Sequence, residues 1–217
     1  KALRWHGPRD LRLEQIEEPK VQPGKVKLRV EWCGICGSDL HEYTAGPIFI
    51  PKDAPHPITG EQAPIVMGHE FSGQVVEVGE GVTKFKPGDR VVVEPIYACG
   101  EWETCRQGLY NLCPKMGFLG LAGGGGGFSE YVVFDDYRVH KIPDSVSYEQ
   151  GALVEPAAVA LYAVRQSRLK AGDKAAVFGT GPIGLLVIEA LKAAGAAEIY
   201  AVELSPERKQ KAAELGA

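Results

Sequence analysis

Apolar and polar residues alternate along much of the first 140 residues, most clearly in the stretch KVKLRVEW at 25–32. Charged side chains occupy one face of this stretch, and the other face is formed by Val26, Leu28, Val30 and Trp32. A period of two is typical of a strand that buries one face. The same signal recurs at GQVVEVG, RVVVEP and SEYVVF, with glycine and proline turns between them. The pattern predicts a mostly antiparallel β domain.

The period changes from 2 to 3.6 near Ser147, which forms a capping box with Gln150 and so predicts the start of a helix. Pro156 is expected to break this helix after Glu155 and to restart it, because proline fits a first helical turn and not a helix interior. The pattern therefore places Glu155 at a kink rather than on a solvent-facing side of the helix.

From Lys174 the chain reads as a strand, a glycine turn, an apolar helix, a second strand and a helix begun by Ser205 and Pro206. This alternation is typical of a βαβ unit in a parallel sheet. The two patterns predict two domains, a β domain at 1–150 and, at 151–217, a linking helix followed by the first half of an α/β domain.

Composition excludes several classes of protein. Lys and Arg number 24 and Asp and Glu number 28, giving a net charge of −4 that is interspersed along the 217 residues, unlike the basic footprint of a nucleic-acid binder. The longest apolar stretch, 175–188, is too short to span a bilayer. An odd count of five cysteines without a signal peptide predicts reduced thiols. We expect a cytoplasmic protein that binds neither nucleic acid nor a membrane.

Two irregular segments interrupt the β pattern. The glycine run at 123–127 precedes a strand and not a helix, so no helix N-terminus is there to receive a phosphate, and we predict a flexible loop. The proline-rich segment at 46–65 is longer than a simple connection needs, and such loops are often functional. His56 lies within it and is interpreted as a surface residue.

The stretch GTGPIG at 179–184 matches the pattern GxGxxG, follows an apolar strand and opens a helix. This context predicts a dinucleotide-binding turn, in which the first glycine allows the tight turn, the second admits the pyrophosphate and the third lets the helix pack on the sheet. An acidic residue follows nineteen positions later, at the end of the next strand. The residues predicted to bind the cofactor are Gly179, Gly181, Pro182, Ile183, Gly184 and Glu203.

The identity of the acidic residue bears on the choice of dinucleotide. A carboxylate at Glu203 would accept hydrogen bonds from the ribose hydroxyl groups and repel a 2′-phosphate, which favours NAD over NADP. Arg208 lies five residues further on and keeps the alternative open.

A second group of residues has the chemistry of a metal site. Cys36, His69 and Glu155 are ligand types that bind zinc with an open coordination position. Gly68 permits a sharp turn before His69, although an isolated His-Glu pair would be interpreted as solvated. Residue type alone does not distinguish Cys36 from Cys33.

Together these motifs resemble the zinc-containing medium-chain alcohol dehydrogenases, because GICGSDLH, GHEFSGQVVEVGEGV, the pair EP at 155–156 and GTGPIG occur in that family's order. Within the family the chain is most similar to the sorbitol and butanediol dehydrogenase branch, and its loop FIPKDAPHPITGEQAPIVMGHE to the (R,R)-2,3-butanediol dehydrogenases. The resemblance implies a mixed fold, a GroES-like antiparallel β domain followed by the start of a Rossmann-type α/β domain that is incomplete in this chain.

The resemblance also implies the ligands of a catalytic zinc. Cys36 corresponds to the cysteine ligand, which leaves Cys33 as a packing residue. His69 corresponds to the histidine ligand, and Glu155 stands where other branches carry a second cysteine. Glu70 would lie beside the metal, either as an alternating fourth ligand or as a neighbouring charge.

By the same resemblance, Ser38 and His41 form a proton relay from the substrate oxygen to solvent. The expected activity is hydride transfer between a small secondary alcohol or vicinal diol, 2,3-butanediol with acetoin as its ketone, and NAD. A sorbitol-type polyol dehydrogenase is the alternative enzyme. A zinc-binding fragment without turnover is the alternative outside enzymes, since this sheet needs about six strands and the chain supplies two. Family members are commonly homo-oligomers, which is the expectation here.

A further cluster of cysteines lies in CGEWETCRQGLYNLC and comprises Cys99, Cys105 and Cys113. The family's structural zinc lobe has four cysteines, and Trp102 stands here in place of the second. An indole cannot replace a thiolate, because its N–H group only donates. Glu101, Glu103 or water could complete a site around three thiolates, or the lobe could hold no metal; the sequence leaves these alternatives open.

Overall fold

The computed structural model describes all 217 residues, which divide into two compact units, 1–153 and 154–217. The boundary expected at residue 150 falls inside a short helix at the end of the first unit. None of the helices combines the length and the apolar composition that a bilayer crossing needs.

Antiparallel sheets form the first unit, as the alternating pattern predicts. A five-stranded sheet has the order β10-β6-β5-β3-β9, a three-stranded sheet has the order β2-β1-β4, and β7 pairs with β8. The strands are β1 (Ala2–Gly7), β2 (Asp10–Glu14), β3 (Lys25–Cys33), β4 (Ile65–Val66), β5 (Phe71–Val78), β6 (Arg90–Val93), β7 (Ile96–Tyr97), β8 (Gly117–Phe118), β9 (Tyr131–Asp135) and β10 (Val139–Lys141).

The strand β3, which lies between β5 and β9, follows its predicted alternation at one end only. Val26 and Leu28 are fully buried in the core of the five-stranded sheet, with Phe71 and Phe134 among their neighbours. Trp32, however, is 52% exposed. Its pairing with β5 shifts register after residue 30, and such a bulge turns the following side chains off the alternating face. The placement of Trp32 on the buried face was therefore wrong.

Short helices complete the first unit: α1 (Gly37–Ala45), α2 (Glu103–Arg106) and α3 (Tyr148–Ala152), with 3₁₀ turns at Tyr110–Leu112 and Asp136–Arg138. The helix α1 begins directly after β3, where the Asp39 carboxylate accepts the amide hydrogen of Cys36 at 2.9 Å. The capping box predicted at Ser147 is present at the start of α3. The sequence therefore marks the start of α3 correctly.

The glycine run at 123–127 is not the flexible loop that the sequence predicts. Gly123, Gly126 and Gly127 are buried, and the Gly127 amide donates to the carbonyl oxygen of Gly68 at 2.7 Å. Glycine is needed because these backbones approach too closely for side chains. The glycine run is therefore packed against the turn that carries His69.

The second unit is a βαβ unit preceded by one helix: α4 (Val154–Gln166), β11 (Lys174–Phe178), α5 (Pro182–Ala193), β12 (Glu198–Val202) and α6 (Pro206–Glu214). The strands β11 and β12 are parallel, as predicted. Ile188 and Leu191 of α5 are buried in its core against Val177 and Ile199 of the two strands. The side chain of Ser205 caps α6 by accepting the Arg208 amide hydrogen.

One helix boundary was predicted wrongly. The break falls between α3, which ends at Ala152, and α4, which begins at Val154. Pro156 therefore lies in the first turn of α4 instead of starting a new helix after Glu155. Proline is tolerated there because the first amide groups of a helix have no partner within the helix.

We expect a Gly126→Ala substitution to destabilise the first unit by about 1–3 kcal/mol, because the new Cβ would meet backbone atoms that cannot move independently. An ideal Cβ at Gly126 lies 2.7 Å from the Val66 carbonyl oxygen and 2.8 Å from the Met67 carbonyl carbon. Urea unfolding followed by tryptophan fluorescence, to which the fully buried Trp5 of this unit contributes, measures the change.

The matched control is Gly7→Ala, since nothing lies within 4 Å of a Cβ at Gly7 and its backbone is also outside the left-handed region. We expect this change to be neutral or to stabilise by about 0.4–1 kcal/mol through the unfolded state. Equal unfolding midpoints for the two variants would contradict the packed role of the glycine run.

Candidate metal centre and nucleotide turn

Three ligand types converge at the end of β3. One ligand atom each from Cys36, His69 and Glu70 lies within 4.8 Å of the other two. Cys36 is the residue that caps α1, and the other two follow β4 in a turn that needs Gly68. The φ angle of Gly68 is +91°, and a Cβ there would lie 2.8 Å from atoms of Phe128. The turn thus brings His69 to the start of α1.

A carboxylate that the sequence analysis did not single out faces the imidazole. Asp39 Oδ1 lies 3.7 Å from His69 Nδ1, and neither buried atom has a hydrogen-bond partner. His69 Nε2 lies 3.4 Å from Ser38 Oγ on the other side of the ring. The sequence signal that could have identified Asp39 is its position three residues after Cys36, on the face of α1 that also buries Glu42.

Burying these polar and ionisable side chains costs free energy unless a cation binds them. His69 and Glu70 are 5% and 9% exposed. Burial also raises the pKa of the Cys36 thiol and of the Asp39 carboxyl above their ordinary values. A thiolate, an imidazole and a carboxylate form a donor set that zinc binds well, and the unpartnered Nδ1 and Oδ1 atoms match the outer hydrogen bond of a zinc-bound histidine. The residues therefore fit zinc.

Cys33 lies outside this convergent set. Its sulfur lies 2.6 Å from where a Cβ on Gly127 would stand, and burial raises the pKa of the thiol to about 12. A thiol with so high a pKa is a poor source of thiolate, which agrees with a packing role.

The remaining predicted residues of the catalytic site lie in different surroundings. Ser38 is in the first turn of α1 beside the imidazole, whereas His41 is on the exposed side of the same helix. Glu155 belongs to the second unit, where it occupies the first turn of α4. Its role as a zinc ligand stays a prediction.

The glycine turn of the second unit has the geometry that a dinucleotide requires. Gly179 has a φ angle of +87°, which only glycine adopts freely, and no atom lies within 4 Å of a Cβ built at Gly181. Gly184 approaches the Gly179 backbone too closely for a side chain. Pro182 is the first residue of α5 and is followed by Ile183, which is 43% exposed.

Glu203 lies directly after β12, and its carboxylate is bound by the glycine turn. It accepts amide hydrogens from Thr180 at 2.8 Å, from Leu204 at 2.7 Å and from Ser205 at 3.1 Å. The Thr180 amide, followed by the other two, lowers the pKa of Glu203 to about 2. The residue therefore carries a fixed negative charge beside the turn. Arg208 Nη1 is 4.0 Å away.

The three cysteines at 99, 105 and 113 also converge, with their sulfur atoms within 4.8 Å of one another. Cys99 Sγ and Cys113 Sγ are 3.4 Å apart. Trp102 is the residue that caps α2, and its side chain is 50% exposed. The three cysteine sulfurs thus lie together, as the sequence predicts. No fourth ligand residue joins this group.

The antiparallel β unit, its zinc-type donor set and the glycine turn define the class of medium-chain dehydrogenases. The Alcohol dehydrogenase GroES-like domain family matches residues 22–144, and the chain belongs to this family. The expected fold class, a GroES-like β domain followed by part of a Rossmann-type domain, is thereby confirmed.

Individual relatives indicate which branch of the family the chain is similar to. The chain is 74% identical over 217 residues to the (R,R)-butanediol dehydrogenase of Bacillus subtilis (strain 168), covering 100% of this chain and 62% of that protein. It is 50% identical to the (R,R)-butanediol dehydrogenase of Neisseria gonorrhoeae (strain ATCC 700825 / FA 1090), covering 100% and 61%. The crystal structure of 2R,3R-butanediol dehydrogenase from Bacillus subtilis superposes with a TM-score of 0.95 at 74% identity, covering 100% and 61%. The chain thus spans less than two thirds of the length of these relatives.

We expect Asp39→Asn to lower zinc affinity by about 10- to 100-fold, because the His69 imidazole loses the anionic acceptor for its second nitrogen. Zinc affinity is measured by competition with a chromophoric chelator. An asparagine oxygen can still accept the Cys36 amide hydrogen, so α1 keeps its cap. Glu42→Gln is the control, since that carboxylate is buried on the same helix but binds backbone amides of residues 48–50. Equal zinc affinities in both variants would refute the orienting role of Asp39.

Proposed function

We propose that this protein is a zinc- and NAD-dependent alcohol dehydrogenase that interconverts a small vicinal diol and its hydroxyketone. The observation that supports this most directly is the convergence of Cys36, His69 and Glu70 within 4.8 Å. A soft thiolate and an imidazole with an adjacent carboxylate suit a zinc centre that leaves a position for substrate.

The diol 2,3-butanediol, with acetoin as its product, is the proposed substrate. Two relatives named (R,R)-butanediol dehydrogenase are 74% and 50% identical to the chain. Relatives named sorbitol dehydrogenase are 40% identical in Bacillus subtilis (strain 168) and 41% identical in Homo sapiens. The gradient in identity supports the diol over the polyol.

Zinc bound at this centre would lower the pKa of a coordinated alcohol, as it does for bound water, and so favour the alkoxide near neutral pH. Cys36 and His69 would hold the ion, with Glu70 beside it and Glu155 as the further proposed ligand. Asp39 Oδ1 faces His69 Nδ1 at 3.7 Å and is proposed to hold the ring with Nε2 toward the site. The buried turn keeps these groups in a low-dielectric setting, where their charges interact strongly.

The alcohol proton needs a separate route to solvent. Ser38 Oγ is 3.4 Å from His69 Nε2 and is therefore next to the proposed substrate oxygen. Its hydroxyl can accept the alcohol proton while donating its own to the next group in the relay. His41, on the exposed side of α1, is the proposed exit to water.

The glycine turn of the second unit is proposed to bind NAD. The open space at Gly181 admits the pyrophosphate to the backbone, next to the N-terminus of α5. Glu203 stays ionised and repels a 2′-phosphate, which supports NAD over NADP. A cytoplasmic homo-oligomer is proposed with this activity; the five cysteines, which are free thiols, support the cytoplasmic location alone.

The substrate assignment is tested by NAD reduction in the full-length protein with butanediol stereoisomers, sorbitol and threonine. We expect the (2R,3R) isomer to give a kcat/KM at least about tenfold above sorbitol, since each group mismatched in a pocket costs about 1–3 kcal/mol. Activity on sorbitol alone would support the polyol alternative. Zinc retention without any NAD reduction would support a zinc-binding chain without turnover.

Ser38→Ala should reduce kcat by about 100-fold or more while zinc content stays unchanged, because the proton would lose its route. Steady-state kinetics across pH, together with metal analysis, measures the effect. The matched control is Thr44→Ala, which removes a hydroxyl from the same helix that bonds only to the backbone carbonyl oxygens of Leu40 and His41. An unchanged kcat and pH profile in Ser38→Ala would exclude the relay.

A further inference from the structure

The Glu203 carboxylate already accepts as many hydrogen bonds as its two oxygens have lone pairs for. Glu203 Oε2 accepts from the Thr180 amide at 2.8 Å and from the Thr180 hydroxyl at 3.3 Å. Glu203 Oε1 accepts from the amides of Leu204 at 2.7 Å and Ser205 at 3.1 Å. A carboxylate offers about four lone-pair positions, so a ribose hydroxyl that donates to Glu203 needs one of these donors to leave.

Three of the four donors are backbone amides that the main chain holds in place. The Thr180 amide follows Gly179, whose own amide donates to the Val202 carbonyl oxygen at 2.8 Å. Leu204 and Ser205 join β12 to α6, and the Ser205 side chain caps that helix. Withdrawing any of these amides from the carboxylate would shift the backbone of the turn or of the helix start.

The Thr180 hydroxyl is the exception, because its single hydrogen has two acceptors within reach. Thr180 Oγ1 lies 3.3 Å from Glu203 Oε2 and also 3.3 Å from the Arg208 carbonyl oxygen. The side chain is fully buried, so water does not compete for this hydrogen. A hydroxyl has one hydrogen to donate, and rotation about the Cβ–Oγ1 bond directs it to one acceptor or the other without moving a heavy atom.

We propose that the Thr180 hydroxyl opens Glu203 to the ribose of NAD by turning from the carboxylate to the Arg208 carbonyl oxygen. This inference rests on the proposed function, since it takes NAD as the ligand of the glycine turn. The exchange replaces a hydrogen bond to a charged acceptor with a weaker one to a neutral acceptor, so Thr180 lowers the affinity for NAD. A lower affinity favours cofactor release, a step that limits turnover in many enzymes.

The experiment measures the Kd of NADH for the full-length protein from the change in nicotinamide fluorescence on binding. Thr180→Val keeps the branched shape and the amide but lacks the hydroxyl, whereas Thr180→Ser keeps the hydroxyl. The control is Ser167→Ala, which removes a second-unit hydroxyl that donates to the Val164 carbonyl oxygen at 2.6 Å. A second ligand, the NADH analogue with 2′-deoxyadenosine, lacks the ribose hydroxyl that the acidic residue of such a turn binds.

We expect Thr180→Val to bind NADH about 3- to 10-fold more tightly than the parent, because a hydrogen bond to a charged group is worth more than one between neutral groups and the variant has no such bond to give up. Thr180→Ser and Ser167→Ala should bind NADH like the parent. The gain in Thr180→Val should be absent with the 2′-deoxy analogue. A folding defect weakens binding, so it cannot mimic this gain.

Three results would overturn this inference alone and leave NAD binding by the turn intact. The first is an NADH affinity in Thr180→Val that is equal to or weaker than that of the parent. The second is a gain of the same size with the 2′-deoxy analogue, and the third is a gain of the same size in Thr180→Ser. A parent protein that does not bind NADH would instead overturn the proposed function, and this inference with it.

Discussion

The first unit depends on a close approach of two backbone segments, the glycine run at 123–127 and the turn that carries His69. Gly126 leaves no room for a Cβ beside the carbonyl groups that precede this turn, and the Gly127 amide donates to the Gly68 carbonyl at 2.7 Å. Interiors are packed too tightly for such backbones to shift independently. The position of the His69 backbone is therefore set by main-chain geometry, before any ligand chemistry contributes.

The helix α1 meets this turn with two buried carboxylates that have different tasks. Asp39 faces the His69 imidazole, whereas Glu42 accepts backbone amide hydrogens from residues 48–50. A buried carboxylate is tolerated when hydrogen bonds or charges compensate it, and each is compensated by a different segment. One short helix thus joins the candidate metal centre to the proline-rich segment at 46–65.

Sequence reasoning succeeded where local chemistry decides the structure. The capping box at Ser147, the glycine turn at 179–184 and the antiparallel β pattern depend on residues close in the chain, and all three are present. Sequence reasoning failed where contacts between distant segments determine the structure. Trp32 is exposed because of a bulge in its pairing, the glycine run is packed because of a distant turn, and Asp39 gained a role only beside the imidazole. The convergence of Cys36 with this turn was open until the fold was known.

The two candidate metal clusters differ in how the protein offsets their charge. At the buried centre, the ionic partner of Asp39 is His69 itself, so the cluster gains little neutralising charge from its surroundings. A divalent ion removes the resulting cost of burying anions in a low-dielectric interior. The sulfurs of Cys99, Cys105 and Cys113 lie in a different setting, because the nearby Lys115 ammonium group is itself paired with the Glu101 carboxylate at 2.9 Å. The need for a cation is therefore strongest at the buried centre, where His69 Nδ1 and Asp39 Oδ1 have no other hydrogen-bond partner.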